Sequence, residues 1–204
     1  KTVFDFSNEL LQKAKPAAEK EFRKLSDFAK KDGIDTIQKW DGAYYTEKLK
    51  KELFSFDEEA LKPYFQLENV LHGAFTIAHK LFGLSFEQVF DIDVYHEDVT
   101  TYKVLDENGD YVAIFYADFF PRKGKRNGAW MTSFKNQYIL DGVNSRPHIS
   151  NVCNFTKPTE TKPSLLTFNE VTTLFHEFGH GLHGMLANTK YSSLSGPYVW
   201  WDFV

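Results

Sequence analysis

Three of the seven histidines fall within eight residues, in the run His176-Glu177-Phe178-Gly179-His180-Gly181-Leu182-His183. The His-Glu-x-x-His spacing matters because, on a helix, His176 and His180 lie about 6 Å apart along the axis and within roughly 40° around it. Both imidazoles can then reach one metal ion, with Glu177 projecting beside them. A zinc ion in that position would lower the pKa of water toward about 7 and polarise a carbonyl, while the carboxylate takes the water's proton and passes it to a leaving amine. A catalytic zinc usually has three protein ligands plus water, and this run supplies two. His183 is the tempting third. Seven helical residues, however, separate its Cα from that of His176 by about 10.5 Å, too far for all three to close on one ion along a straight helix. A histidine six residues after His180 would complete another known pattern, but that position is Leu186. His183 is therefore read as a packing residue or an outer contact.

The element that must hold this run is a helix. Val171, Leu174, Phe175 and Phe178 form its apolar stripe, and Asn169-Glu170 gives it a polar entry. Upstream, the spacing predicts a long helix from about Ser7 to Lys31, kinked or split at Pro16 and stopped at Asp32-Gly33. A second helix runs from Asp41-Gly42 to about Phe54, with Lys48, Lys50 and Lys51 on a solvated face. Asp57-Glu58-Glu59 opens a short turn ended near Pro63. Leu67, Val70, Leu71, Ala74, Ile77, Ala78 and Leu81 recur at the helical period, and Gly83 closes that helix. His72 and His79 on it read as packing or surface residues.

The period changes between Asp91 and Phe120, where Val, Ile, Tyr and Phe dominate around the turn Asp106-Glu107-Asn108-Gly109-Asp110. Tyr111 to Phe119 is nearly continuous in apolar residues and reads as a strand buried on both faces. The basic run Pro121 to Gly128 is either a solvated turn or a site for an anionic group. Arg122, Lys123, Lys125 or Arg126 would then supply the counter-charge. Ile149 to Phe155 reads as a further strand and 156–164 as a loop. The expected fold is mainly α with a small β-sheet, an α+β arrangement: residues 1–90 helical, 91–160 a small sheet and loops, and 161–204 the histidine-bearing helix with its follow-on segment.

Composition removes other classes. The 204 residues carry 24 Lys and Arg against 28 Asp and Glu, a net charge of −4, which argues against nucleic acid as the main partner. No run approaches the roughly 18 to 20 apolar residues of a membrane span, so no membrane partner is expected. The single cysteine, Cys153, leans toward a reducing, cytoplasmic compartment. Lys1 is not Met, and the chain ends in the aromatic run Pro197 to Val204, so it reads as an internal piece of a longer polypeptide whose other segments cover that run.

Several stretches together resemble one family. They are TLFHEFGHGLHGML, the downstream SGPYVWWDFV, the central FYADFFPRKGKRNGAWM, the strand-like ISNVCNFTKP and the helical PYFQLENVL. In this order they look like the thimet oligopeptidase and peptidyl-dipeptidase group of zinc metallopeptidases. DIDVYHEDV, GAWM and NVCNFTKP look most like its bacterial peptidyl-dipeptidase branch, with the oligopeptidase A branch a close second. The resemblance implies a helical clamshell around a deep channel, of which this chain is about the middle third. It implies one Zn²⁺ held by His176 and His180, with Glu177 as general base. It places a third ligand, a glutamate, one position after Asp202-Phe203-Val204, and side chains that stabilise the oxyanion further on. It also suggests that Gly128 and Ala129 belong to an edge strand on which an extended peptide lies, although an ordinary strand start accounts for the same small residues. The implied activity is release of C-terminal dipeptides from short peptides by the complete enzyme, with Arg122, Lys123, Lys125 or Arg126 as the counter-charge for the peptide's free carboxylate. A chain lacking the third ligand is expected to be inert and to bind zinc weakly or not at all. The alternatives are an endo-oligopeptidase and, from another class, a helical interaction module with an inactive motif.

Overall fold

The computed structural model describes residues 1–55 and 58–204, Glu58 by its backbone alone. Asp57, the predicted start of the acidic turn, lies outside the described residues. The chain divides into two compact units, residues 1–57 and 58–204.

The first unit is an α-helical pair. Helix α1 spans Thr2–Lys30 without a break at Pro16, and α2 spans Gly42–Phe54. The start of α1 thus precedes the predicted Ser7 cap. Phe28, Ala29 and Tyr45 form a small buried core with Leu25, Ile34, Ile37 and Leu49 around it. Lys48 also pairs with Asp32 across the connecting loop.

The second unit holds a five-stranded sheet covered on one face by two helices. Residues Glu58–Tyr64 form a 3₁₀ helix that includes Pro63 rather than stopping before it. Helix α3, Leu67–Phe82, follows the predicted stripe and ends at Gly83, whose φ of 70° is the left-handed cap that glycine accepts without strain. The strands are β1 Ser85–Val89, β2 Thr100–Leu105, β3 Tyr111–Asp118, β4 Trp130–Lys135, β5 Tyr138–Leu140, β6 Val143–Ser145 and β7 His148–Val152. The main sheet has the order β1-β2-β3-β7-β4, and β5-β6 forms a separate hairpin. The first strand therefore begins at Ser85, inside the stretch expected to be helical. Its Phe86 stacks on Phe75 of α3 with ring centroids 4.0 Å apart, so the strand is recruited by tertiary packing. The predicted Asp106–Asp110 turn joins β2 and β3, and β3 is buried over most of its length, as its composition requires.

The last helix, α4, spans Phe168–Met185. Its Leu174, Phe178 and Met185 join Phe115, Ala117 and Ile149 of the sheet and Leu67, Leu71, Ala74 and Ala78 of α3 in one core. The other face of the sheet carries Ile114 and Tyr116 with Val99. The segment after α4 holds 3₁₀ turns at Ser192–Leu194 and Trp201–Phe203, and leaves Trp200, Trp201 and Phe203 exposed. No described helix is long and apolar enough to cross a membrane.

Candidate functional site

Helix α4 is anchored at three places, and together these set its rotation. At its start Thr167 accepts a hydrogen bond from the Glu170 backbone N–H at 3.2 Å, while the Glu170 carboxylate accepts from the Thr167 N–H at 2.8 Å. This reciprocal cap begins at Thr167, about two and a half turns before His176; the Thr-x-x-Glu spacing was the sequence signal for it, beyond the Asn169-Glu170 entry. In the middle, α4 lies so close on β7 that a Cβ at Gly181 would come within 2.6 Å of Asn151 Oδ1, and one at Gly184 within 2.8 Å of Ile149 Cδ1. A side chain at either position would force Asn151, or Ile149 and Met131, to shift. At its end the Arg146 guanidinium donates to Met185 O at 2.7 Å and Ala187 O at 3.0 Å, and also to Val112 O on β3 at 2.7 Å. The cation offsets the partial negative charge of the helix end and ties it to the sheet.

With α4 held this way, the face carrying Gly181, Gly184 and Phe178 is buried, and the motif sits at its border. His176 is exposed, His180 half-buried and Glu177 buried at 7% exposure. The two Nε2 atoms lie 3.1 Å apart, with the rings at 87° to each other. Two imidazoles bound to one tetrahedral zinc at about 2.0–2.1 Å would place their nitrogens about 3.3 Å apart, so the pair suits one ion. As neutral rings at this spacing, one Nε2–H donates to the other. Among the described residues no group of three or more His, Cys, Asp and Glu side chains could hold a metal. His183 is not drawn into the pair: its ring lies edge-on to Phe203, centroids 6.5 Å apart, and it borders a groove with Phe82, Leu182 and Leu186.

An open cleft of about 350 Å³ brings Glu177 and His180 together with Ala129, Trp130 and Met131 at the start of β4, and with Pro197 and Val204 of the final segment. Strand β4 is the last of its sheet, and no described strand pairs with its outer edge. Ala129 thus stands at the candidate site. Gly128 does not line the cleft; its carbonyl accepts a hydrogen bond from the Asn154 side chain at 2.8 Å, which holds the approach to β4. Cys153 lies beneath, 1% exposed, and burial pushes its thiol up to about 12, with the nearby charge of Glu177 adding to the effect.

The basic loop is not a solvated turn throughout. The side chain of Asp118, 2% exposed, accepts two hydrogen bonds from Arg122 at 2.7 and 2.9 Å and one from Lys125 at 2.8 Å. Lys125, 3% exposed, also donates to the carbonyls of Asp118, Phe120 and Cys153. Arg122 and Lys125 are therefore committed to the ends of β3 and β7, which removes them from the set proposed to meet a free carboxylate. This network escapes the sequence reading, although Arg122 and Lys125 lie only four and seven residues after Asp118, because Asp118 closes a strand that is otherwise apolar.

Burial alone would raise the Asp118 pKa, but the bonds from Arg122 and Lys125 hold it below the ordinary aspartate value. A carboxylate lowered in the folded state stabilises the fold above its unfolded pKa and ceases to do so as pH falls through the lowered value. Asp118→Ala is accordingly expected to cost about 3 kcal/mol at neutral pH, since it leaves a buried ammonium uncompensated. In urea titrations, the gap between parent and variant should close as the solution is acidified. A gap that stays constant into strong acid would contradict this account.

Along residues 1–204 the chain matches peptidase family M3, and it belongs to that family. It is 44% identical over 204 residues to dipeptidyl carboxypeptidase of Escherichia coli strain K12, covering 99% of this chain and 30% of that protein. It is 42% identical over 205 residues to oligopeptidase A of the same strain, again with 99% and 30% covered. Saccharolysin of Saccharomyces cerevisiae is 36% identical over 219 residues, covering 100% of this chain and 31% of that protein. The chain spans about 30% of the length of these curated relatives.

Proposed function

We propose that the full-length protein is a zinc metallopeptidase that removes dipeptides from the C-termini of short peptides. The observation carrying this reading is the convergence of the His176 and His180 Nε2 atoms at 3.1 Å, with Glu177 and His180 opening on one cleft bordered by an edge strand. His176 and His180 would hold the zinc. The third ligand we assign to the glutamate that the family resemblance puts one position after Val204, because Val204 lines the same cleft. When bound, zinc would acidify water and polarise a peptide carbonyl. Glu177 takes the proton of the attacking water and delivers it to the leaving amine. The outer edge of β4, with Ala129 just before it, offers backbone groups to an extended peptide, which holds its carbonyl beside Glu177. A cytoplasmic location belongs to the same reading, supported by the unpaired Cys153.

The likeness to oligopeptidase A, nearly as high as that to the dipeptidyl carboxypeptidase, favours a second reading, an endo-oligopeptidase. One experiment separates them. The full-length protein is given a single N-blocked peptide, and the products are identified by mass spectrometry with and without a zinc chelator. Stepwise loss of C-terminal dipeptides, abolished by the chelator and restored by zinc, is the expected result. Internal fragments would establish the second reading. Absence of any chelator-sensitive cleavage would overturn both in favour of an interaction module.

A further inference from the structure

Side chains alternate across β4, and the two faces differ in chemistry. Met131 lies opposite Asn151 and Ser133 opposite Ile149, on the face that α4 covers. Trp130 lies opposite Val152 and Thr132 opposite Ser150, so these side chains turn to the other face. There an open cleft of about 500 Å³ is bounded by Tyr95, Arg122, Arg126, Trp130, Thr132 and Phe134. Its aromatic wall is braced, with Phe134 packing edge-on against Tyr95 and Tyr116 at 5.6 and 5.3 Å. Of the cations at this cleft, Arg122 and Lys125 are bound to Asp118. Arg126 differs: its guanidinium lies over the Trp130 ring at 4.6 Å, and among the described residues it has no carboxylate partner. Stacking fixes the plane of a guanidinium while leaving its N–H edge free for a planar, bidentate acceptor.

A peptide added along the outer edge of β4 would alternate its own side chains in step with that strand. Those on one face turn toward Glu177 and His180, and those between them turn toward Arg126 and Trp130. We propose that the Arg126–Trp130 cleft is a side-chain subsite that selects an acidic residue at one position of the bound peptide, whose two neighbours turn to the other face. The inference rests on the reading of the β4 edge as the peptide seat.

The test uses the full-length protein and N-blocked peptides that differ at one position, carrying Glu, Gln or Lys, with that position walked along the peptide one residue at a time. The expected result is kcat/KM about tenfold higher for Glu than for Gln at one position, and less than about twofold different at the positions on either side. In Arg126→Gln the Glu-to-Gln ratio should fall to about one, and in Arg126→Glu the preference should pass to Lys-bearing peptides. An unchanged ratio in Arg126→Gln, or a Glu preference of equal size at successive positions, overturns the proposal. If the parent cleaves none of the peptides, the peptidase reading fails separately, and fluorescence anisotropy with the same labelled set still decides. A Glu preference at one position that is lost in Arg126→Gln supports the subsite, and equal binding of Glu and Gln peptides overturns it.

Discussion

Glu177→Gln in the full-length protein is expected to lower turnover by at least about 10²-fold while leaving zinc content nearly unchanged. The amide keeps the size and shape of the carboxylate but has no basic oxygen to take a proton from water. Both imidazoles are untouched, and α4 keeps its cap and its contact with β7, so the metal site should persist. Because Glu177 is 7% exposed, a nearly isosteric change is needed to avoid disturbing the packing around it. The measurement is steady-state hydrolysis of one N-blocked peptide alongside metal analysis of the purified variant. Turnover comparable to the parent would remove Glu177 from the chemistry. A fall in zinc content matching the fall in rate would mean that Glu177 acts through the metal site and not as the base.

His176→Ala and His180→Ala are each expected to abolish both bound zinc and measurable activity. Either change leaves one imidazole and a distant carboxylate, and the 3.1 Å convergence of two nitrogens is lost. His176 is exposed and His180 half-buried, so truncation removes little packing, and the thermal unfolding of the metal-free proteins should coincide with that of the metal-free parent. Stoichiometric zinc retained in either variant would show that the pair is not the site. His183→Ala is the matched control, since its ring sits against Phe203 and away from the pair.

The parts of the molecule legible in the sequence are those whose information is local. The helical period over Leu67–Leu81 and Val171–Phe178, the Asp106–Asp110 turn and the apolar run of β3 each reflect a repeat within a few residues, and the structure forms each of them. The His-Glu-x-x-His run is legible for the same reason: one helical turn is enough to bring His176 and His180 side by side. The strand β1 was not legible, because Ser85–Val89 becomes a strand by pairing with β2 and by stacking Phe86 on Phe75. Pro16 stays inside α1, although a proline in mid-helix normally kinks or breaks it.

The sequence by itself determined a helix bearing the His-Glu-x-x-His run, its family and an α+β architecture, since motif spacing and hydrophobic period survive any choice of tertiary arrangement. Only the tertiary structure decided what surrounds that helix. The parallel pairing of β3 with β7 makes β4 the sheet's edge and brings Ala129 to the cleft of Glu177. The same arrangement buries Lys125 on Asp118 and on three carbonyls, leaving Arg126 as the loop's cation stacked on Trp130. The physical reason is range. A buried charge is tolerated only where its partners meet it, and here they arrive from segments as far as 28 residues apart, a distance at which no local spacing rule operates.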